Sequence, residues 1–166
     1  MDKLWAPWRV KYVTELIGKT KSCVFCRILK EKTDKKNLIF LRTKYSFSVL
    51  NLYPYNNGHI LILPNRHVKD LGKLTEVETL DLFKLLDYAK TLLDKSMKPA
   101  GYNVGMNLGR AAGAGFPGHL HIHVVPRWKG DVNFMPVLAG TKVISQSLQT
   151  LHKRLSEQHK KLSAKK

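Results

Sequence analysis

Three histidines alternate with aliphatic residues in the segment 118–126. His119, His121 and His123 stand at positions i, i+2 and i+4, and successive side chains of a β-strand point to opposite faces. A strand here projects all three imidazoles from one face and leaves the aliphatic residues for packing. Sheet packing alone does not call for such a row, because each buried imidazole brings two nitrogens that need partners. Histidine can be a nucleophile, a general acid or a metal ligand near neutral pH, so the row predicts phosphoryl or nucleotidyl transfer, or a metal centre.

Local patterns predict the elements that must hold these histidines. β-branched Ile122, Val124 and Val125, closed by Pro126, favour a strand over a helix. Apolar spacing and turn signals predict, in chain order, a short helix at 22–31 with a Ser N-cap, strands at 38–41, 47–52 and 60–64, a long helix at 75–98, a strand at 102–107, a glycine-rich loop at 108–118, the histidine strand and a basic helix at 143–162. Helices set against an antiparallel sheet make an α+β fold.

Composition narrows the class of protein. The 166 residues suffice for one domain with a sizeable core. A formal charge of +17 predicts affinity for polyanions, and a nucleotide polyphosphate satisfies that charge as well as nucleic acid does. No apolar run approaches the ~20 residues of a membrane span, and the first residues do not resemble a signal peptide. We therefore expect a soluble cytoplasmic protein with no membrane partner.

The cysteines are sparse and closely spaced. Cys23 and Cys26 are the two cysteines of the chain. In a cytosolic protein this spacing is more typical of a metal half-site or a redox pair than of a structural disulfide. The spacing alone leaves both alternatives open.

The histidine motif resembles that of a known family. His119-Leu120-His121-Ile122-His123-Val124-Val125 resembles the signature of the histidine-triad family, nucleotide-binding hydrolases and transferases that pass through a nucleotidyl-histidine intermediate. The resemblance covers roughly residues 4–145, and segments 4–9, 51–56 and 128–134 resemble the family's diadenosine-tetraphosphate phosphorylase or hydrolase branch. It implies an α+β antiparallel sheet of about five strands, joined to a second sheet across a homodimer. We expect an arm at 1–21, the domain at 22–145 and a basic helix and tail at 146–166.

The resemblance implies a role for each of the last two histidines. His121 attacks the α-phosphate in line and becomes the covalent nucleotidyl carrier, while the carbonyl of His119 holds its second nitrogen. An ordinary histidine pKa near ~6.5 leaves the attacking ring neutral at pH 7. His123 helps the polyphosphate leave, and we expect it to be protonated because a nearby phosphate favours the charged form.

Eight residues match positions that bind nucleotide in the family. They are Asn107, Gly113 and Gly115 for the phosphates, Asn51 for the ribose, and Val24, Phe25, Ile28 and Val49 for the base. Glycines allow backbone N–H groups to approach phosphate oxygens. Many family members carry Ser or Thr where this chain has Gly115, so we expect a backbone N–H to replace that hydroxyl. The competing interpretations are a flexible turn for the loop, a strand-end turn residue for Asn51 and plain core for the apolar four.

Some branches of the family bind a structural zinc, and all four matching ligands are present. They are Cys23, Cys26, His67 and His119. Two thiolates and two imidazoles suit a closed tetrahedral zinc site. The alternative is an empty thiol pair beside a scaffolding His119. The remaining histidines enter no mechanism: His59 is interpreted as a turn residue, and His152 and His159 as solvent-facing residues of the basic helix.

The primary prediction is cleavage of a dinucleoside polyphosphate, such as diadenosine tetraphosphate, through nucleotidyl-His121. One alternative is hydrolysis of nucleoside phosphoramidates or adenylated conjugates by the same histidines. The other is a basic module that binds nucleotide or nucleic acid and has little turnover.

Overall fold

Five strands form one antiparallel sheet in the computed structural model, which describes residues 22–131 and 144–164. The strands are β1 (Ile39–Arg42), β2 (Ser46–Leu50), β3 (Ile60–Pro64), β4 (Gly101–Gly105) and β5 (Ile122–Arg127). Their spatial order is β1-β2-β3-β5-β4, and every neighbouring pair is antiparallel. The α+β prediction is confirmed. The predicted arm at 1–21 and the start of the last predicted helix at residue 143 lie outside the described residues, and the division into arm, domain and tail stays a prediction.

Four α-helices accompany the sheet in the described part of the chain. They are α1 (Val24–Glu31), α2 (Asp34–Asn37), α3 (Glu76–Met97) and α4 (Leu148–Ser163). Thr75 caps α3 in a capping box with Glu78, as the sequence pattern suggests. The predicted Ser cap of α1 is wrong, because Cys23 is the N-cap and makes no side-chain capping hydrogen bond. Its sulfur lies instead beside His119, at 3.4 Å from Nδ1.

The two faces of the sheet have different partners. One face, which carries the fully buried Ile60 and Val124, packs against α3. On that face the Tyr102 hydroxyl donates to Asp94 of α3 at 2.7 Å. The opposite face carries the second and third histidines, and Phe25 of α1 packs there.

Strand β5 begins later than the sequence predicts. The histidine segment joins the hydrogen-bonded sheet only at Ile122, because the backbone before Ile122 has other hydrogen-bond partners. The N–H of Leu120 donates to the carbonyl of Val68 at 2.6 Å, and the carbonyl of His119 accepts from the ring of His121 at 2.8 Å. Leu120 and Ile122 are buried as predicted for packing residues, but His119 and His121 are buried too.

Helix α4 packs against the edge of β1 and against α3. His152, predicted to face solvent, is buried, and its Nε2–H donates to the carbonyl of Ile39 at 2.7 Å. His159 is partly buried and bonds the hydroxyl of Tyr88 at 2.9 Å. Both solvent-facing predictions are wrong because the apolar face of α4, including Leu151, brings the two histidines down onto the domain. Among the described residues, no helix has the length and apolar character needed to span a membrane.

Candidate functional site

The second and third histidines of the row lie side by side on the open face of the sheet. His123 belongs to β5, and His121 lies immediately before that strand. Their ring centroids are 4.9 Å apart at an interplanar angle of 68°. His121 is 7% exposed, whereas His123 is only partly buried. The structure therefore brings the two predicted catalytic residues together. The His123 side chain is partly exposed, but its Nε2 atom is buried.

The tautomer of His121 follows from its hydrogen bond. Its Nδ1 lies 2.8 Å from the main-chain oxygen of His119. A carbonyl oxygen can only accept, so Nδ1 carries the proton and Nε2 keeps its lone pair. Burial lowers the pKa of His121 below that of an ordinary histidine, and the carbonyl bond offsets part of this effect. At pH 7 the ring is therefore neutral, with Nε2 able to act as a nucleophile.

A fourth histidine, His59, joins the row. Its Nε2 lies 2.9 Å from Nδ1 of His123, and its Nδ1 accepts from the backbone N–H of Tyr55 at 2.9 Å. Because Nδ1 of His59 is an acceptor, the proton of the neutral ring is on Nε2 and is donated to His123. Nδ1 of His123 is then an acceptor in turn. The neutral His123 ring therefore carries its own proton on Nε2. In His121, by contrast, Nε2 has a lone pair and no proton.

Sequence reasoning missed His59, which it interpreted as a turn residue. Leu61 pairs with His123 across β3 and β5, and directly paired residues of an antiparallel sheet share a face. His59, two residues before Leu61, falls on that same face beside His123. The sequence does show that His59, two residues before Leu61, shares a face with it. Placing His59 beside His123 also requires knowing that β3 pairs with β5.

A row of paired residues crosses the sheet through His123. Val49, Leu61, His123 and Gly105 are successive partners on β2, β3, β5 and β4. Val49 and Leu61 are buried, and a Cβ added at Gly105 would meet no atom within 4 Å. The sheet is therefore packed on one side of His123 and leaves open space on the other.

The two predicted asparagines each follow a strand of the sheet. Asn107 lies two residues after Gly105, which ends β4 and pairs with His123. Asn51 follows β2, and its side-chain amide lies 3.3 Å from Nδ1 of His59. Its carbonyl oxygen accepts from the N–H of Tyr53 at 3.0 Å.

The glycine-rich loop connects Asn107 to the histidine segment. Gly113 adopts φ 86°, a left-handed conformation suited to glycine, and its N–H donates to the carbonyl of Arg110 at 2.9 Å. Gly115 is partly buried further along the loop. The N–H of Gly113 thus closes a turn inside the loop.

The four residues predicted to contact the base have unequal surroundings. Phe25 is buried, with its ring centroid 5.6 Å from that of His121 and 5.4 Å from that of Phe116. Val24 and Ile28 are partly buried against the core, and Val49 belongs to the core of β2. Phe25 is therefore the one of the four with a described ring contact to the proposed nucleophile.

Four side chains converge at the start of α1. Ligand atoms of Cys23, Cys26, His67 and His119 all lie within 4.8 Å of one another. Cys26 Sγ is 3.3 Å from Nδ1 of His67 and 3.6 Å from Nδ1 of His119. Bond lengths of ~2.3 Å to sulfur and ~2.0 Å to nitrogen put the corners of a tetrahedral zinc site roughly 3.5 Å apart. The group could hold a metal ion in that geometry.

The orientation of His119 also suits a ligand. Its Nε2 lies 2.9 Å from the carbonyl of Pro64, so Nε2 carries the proton and Nδ1 presents a lone pair to the cysteines. Burial lowers the pKa of His119 to about 4 and so favours this neutral, ligating form. Burial and the neighbouring Cys23 raise the pKa of Cys26, so a metal ion would displace a proton from its thiol.

Comparison with known proteins places the chain in a family. The sequence model of the HIT domain matches residues 32–130. The AP-4-A phosphorylase of Mycobacterium tuberculosis strain H37Rv is 38% identical over 163 residues, which cover 94% of this chain and 83% of that protein. The asymmetrical bis(5'-nucleosyl)-tetraphosphatase of Schizosaccharomyces pombe is 38% identical over 93 residues, or 56% of this chain and 50% of that protein.

Solved structures show the same fold. A zinc-bound histidine triad family protein from Mycobacterium smegmatis superposes with a TM-score of 0.70 at 23% identity, covering 87% of this chain and 98% of that one. The NitFhit protein of Caenorhabditis elegans superposes with a TM-score of 0.59 at 29% identity, covering 74% of this chain and 27% of that one. With the matched domain and the histidine row together, the chain belongs to the HIT domain family.

Proposed function

We propose that this chain is an enzyme that binds a dinucleoside polyphosphate, such as diadenosine tetraphosphate, and cleaves it at the α-phosphate through a covalent nucleotidyl-His121. One observation carries the proposal: the two imidazoles are neighbours, and Nε2 has a lone pair in His121 but an N–H in His123. A displacement at phosphorus needs a nucleophile and a donor for the departing oxygen. The names of the phosphorylase and tetraphosphatase relatives support the substrate class.

In the first step Nε2 of His121 forms a bond to the α-phosphorus while the bond from that phosphorus to the bridging oxygen breaks. The electron pair of the broken bond leaves with the oxygen as a polyphosphate anion. The N–H of His123 donates a hydrogen bond to that oxygen and stabilises its developing charge. The hydrogen bond from His59 places this N–H on Nε2 in the ligand-free protein, and the expectation that His123 is protonated beside a phosphate stays a prediction. The His119 carbonyl stabilises the positive ring that forms on His121.

In the second step an oxygen nucleophile replaces His121 at phosphorus. Inorganic phosphate as nucleophile gives ADP, and water gives AMP; in both cases the nucleophile loses a proton and His121 regains its Nε2 lone pair. Diadenosine tetraphosphate therefore yields ATP together with ADP or AMP. The 38% identity to a phosphorylase favours phosphate.

The remaining predicted residues take binding roles in this proposal. The Asn107 amide contacts phosphate, and its position two residues after Gly105, the partner of His123, supports this role. Gly113 and Gly115 place the loop backbone beside the phosphates, with the Gly115 N–H as the proposed donor because the Gly113 N–H already donates to Arg110. Asn51 binds the ribose, and Val24, Phe25, Ile28 and Val49 surround the base. The contact of Phe25 with His121 supports a base on that side.

We assign zinc to the Cys23, Cys26, His67 and His119 group, which fits it by donor type and spacing. When bound, zinc supplies a structural cross-link and no reaction step. The four residues tie α1, the segment after β3 and the approach to β5 together. His119 is one of the four zinc ligands, and its main-chain carbonyl accepts the hydrogen bond from the ring of His121.

We further propose a homodimer that joins two sheets at β4. This strand is an edge of the sheet, and Val104 on it is 53% exposed. An exposed, unpaired strand edge is a template for pairing with another chain. Light scattering coupled to size-exclusion chromatography will give the mass that decides this point.

The experiment for the activity is product analysis with diadenosine tetraphosphate, with and without inorganic phosphate. We expect ATP plus ADP in phosphate, and protein trapped with one adenylyl group after an alkaline quench, because acid cleaves the P–N bond of a nucleotidyl-histidine. His121→Ala should abolish both turnover and the trapped adduct while leaving nucleotide affinity within a few-fold. The matched control is His159→Ala, a histidine on α4 that should retain full activity.

Two outcomes would favour another reading. Turnover of a phosphoramidate or an adenylated conjugate, with none of the dinucleotide, would assign the chain to those substrates. Absence of turnover on any of them, with salt-dependent RNA affinity that survives His121→Ala, would support a basic binding module.

A further inference from the structure

Tyr55 makes two separate contacts with the His59–His123 pair. Its ring lies nearly parallel to that of His123, with centroids 5.6 Å apart and an interplanar angle of 21°. The same ring lies 4.6 Å from His59 at 40°. Tyr55 remains 39% exposed, whereas His59 is 1% exposed. The tyrosine therefore covers the two imidazoles from the solvent side.

The main chain of Tyr55 supplies the second contact. Its N–H donates to Nδ1 of His59 at 2.9 Å, whereas the Asn51 amide lies about equally far from both ring nitrogens, at 3.3 and 3.4 Å. The main-chain donor at Nδ1 requires that nitrogen to be an acceptor. The proton of His59 is consequently held on Nε2, which donates to Nδ1 of His123 at 2.9 Å. A main-chain group outside the histidine motif thus decides which nitrogen of His123 carries hydrogen.

We propose that Tyr55 is a positioning residue that keeps His123 in its donor state. The main-chain N–H selects the tautomer through His59, and the stacked ring holds the plane of His123 so that the hydrogen bond between the two histidines persists. A His123 ring that turned about its Cβ–Cγ bond would lose that bond and allow the proton to move to Nδ1. The inference rests on the proposed function, from which the donor role of His123 is taken.

The competing explanation is that the Tyr55 ring only packs the loop that ends at His59. Loop packing would affect thermal stability and substrate affinity but not the position of a proton on His123. The two explanations therefore differ in the tautomer of one histidine, which can be measured without substrate.

The experiment uses the full chain with 15N-labelled histidine and compares Tyr55→Leu, Tyr55→Phe and Tyr45→Leu. Tyr45, the residue before β2, is a matched control because its ring contacts the Lys44 ammonium, which lies 5.1 Å from the ring centroid. Nitrogen chemical shifts at neutral pH report the tautomer of each ring. Turnover is measured in parallel on diadenosine tetraphosphate and on an adenosine phosphoramidate with a poor leaving group.

We expect the wild type, Tyr55→Phe and Tyr45→Leu to hold the proton of His123 on Nε2. In Tyr55→Leu the His123 signals should become those of a tautomer mixture. Its kcat should fall about three- to tenfold, the size expected for loss of one aromatic pair, and by more on the poor leaving group, with KM within twofold. The effect should be rescued by Phe.

An unmixed Nε2–H tautomer in Tyr55→Leu would overturn the proposal, whatever happens to kcat. An Nδ1–H tautomer of His123 in the wild type would overturn it even if the leucine variant failed to fold. If the wild type cleaves neither substrate, the proposed function fails, while the nitrogen shifts still decide the role of Tyr55.

Discussion

Nδ1 of His121 and the main-chain oxygen of His119 are 2.8 Å apart, and this contact makes Nε2 the ring nitrogen of His121 that keeps its lone pair. In the proposed mechanism this backbone carbonyl prepares the nucleophile, and no neighbouring carboxylate is required. Burial acts in the same direction, because it lowers the pKa of the ring.

The first prediction concerns the pH profile of kcat/KM. His121 must be neutral to attack, and its pKa lies below the ordinary value of ~6.5. Activity should therefore persist as the pH falls through 6.5 and decline only at more acidic values, where His121 is protonated. Steady-state rates in constant-ionic-strength buffers measure this limb. An acid limb centred above ~6.5 would contradict a depressed pKa.

The second prediction tests His59. His59→Phe keeps the ring in a site that is 1% exposed but removes both nitrogens. Because His123 loses the donor to its Nδ1, we expect kcat to fall by roughly 10- to 100-fold, with the larger loss on poor leaving groups and little change in KM. His159→Phe on α4 is the control and should retain activity. Equal rates for the two variants would remove His59 from the mechanism.

The third prediction concerns metal. Purified protein should contain about one zinc per chain, and Cys26→Ser should lower that content. If free zinc is at a thousand times its Kd, its removal should reduce the free energy of unfolding by about 4 kcal/mol. Elemental analysis and urea unfolding with and without chelator measure both effects. Metal-free protein of unchanged stability would rule out a structural zinc.

The fourth prediction uses the open space beside His123. Gly105→Val should fold normally, because an added Cβ meets nothing within 4 Å and β4 tolerates a β-branched residue. The new side chain shares a face with His123, so we expect KM for the dinucleotide to rise about tenfold. Gly101→Val on the same strand, opposite Arg127, is the control. The idea fails if both variants bind substrate like the wild type.

The fifth prediction concerns the N-terminus of α3. The Arg66 guanidinium donates to both carboxylate oxygens of the buried Glu78, and this pairing lowers the pKa of Glu78 to about 2. A depressed carboxylate pKa contributes stability above ~4.3 that is lost as the pH falls toward 2. Glu78→Gln should therefore cost about 1–2 kcal/mol at pH 7 and much less near pH 2. Urea unfolding at both pH values, with the exposed Glu76→Gln as control, measures the difference.

Local patterns predicted most of the elements but not all their ends. Strand β3 and the start of α3 at Thr75 agree with the predictions from the sequence pattern. The start of β5 could not be predicted, because the hydrogen bond from Leu120 to Val68 is a long-range contact. Helix α2 is four residues long and has no apolar periodicity to detect.

The site residues likewise divide into those that local sequence patterns predicted and those that depend on long-range contacts. The metal group and the His121–His123 pair were predicted from the sequence and its resemblance, and the structure brings each set together. His59 was missed because its function depends on which strand lies next to β3. The burial of His152 was missed because it depends on the carbonyl of Ile39 at the far edge of the sheet.

Helix α4 packs on the edge strand β1, so the two edges of the sheet differ. His152 occupies the Ile39 carbonyl, so a foreign strand could attach there only after prying the terminal helix away. The opposite border of the sheet is β4, where the proposed homodimer would join the two sheets. A symmetric contact of this kind uses the β4 edge of both copies, so that edge would not be left for a third chain.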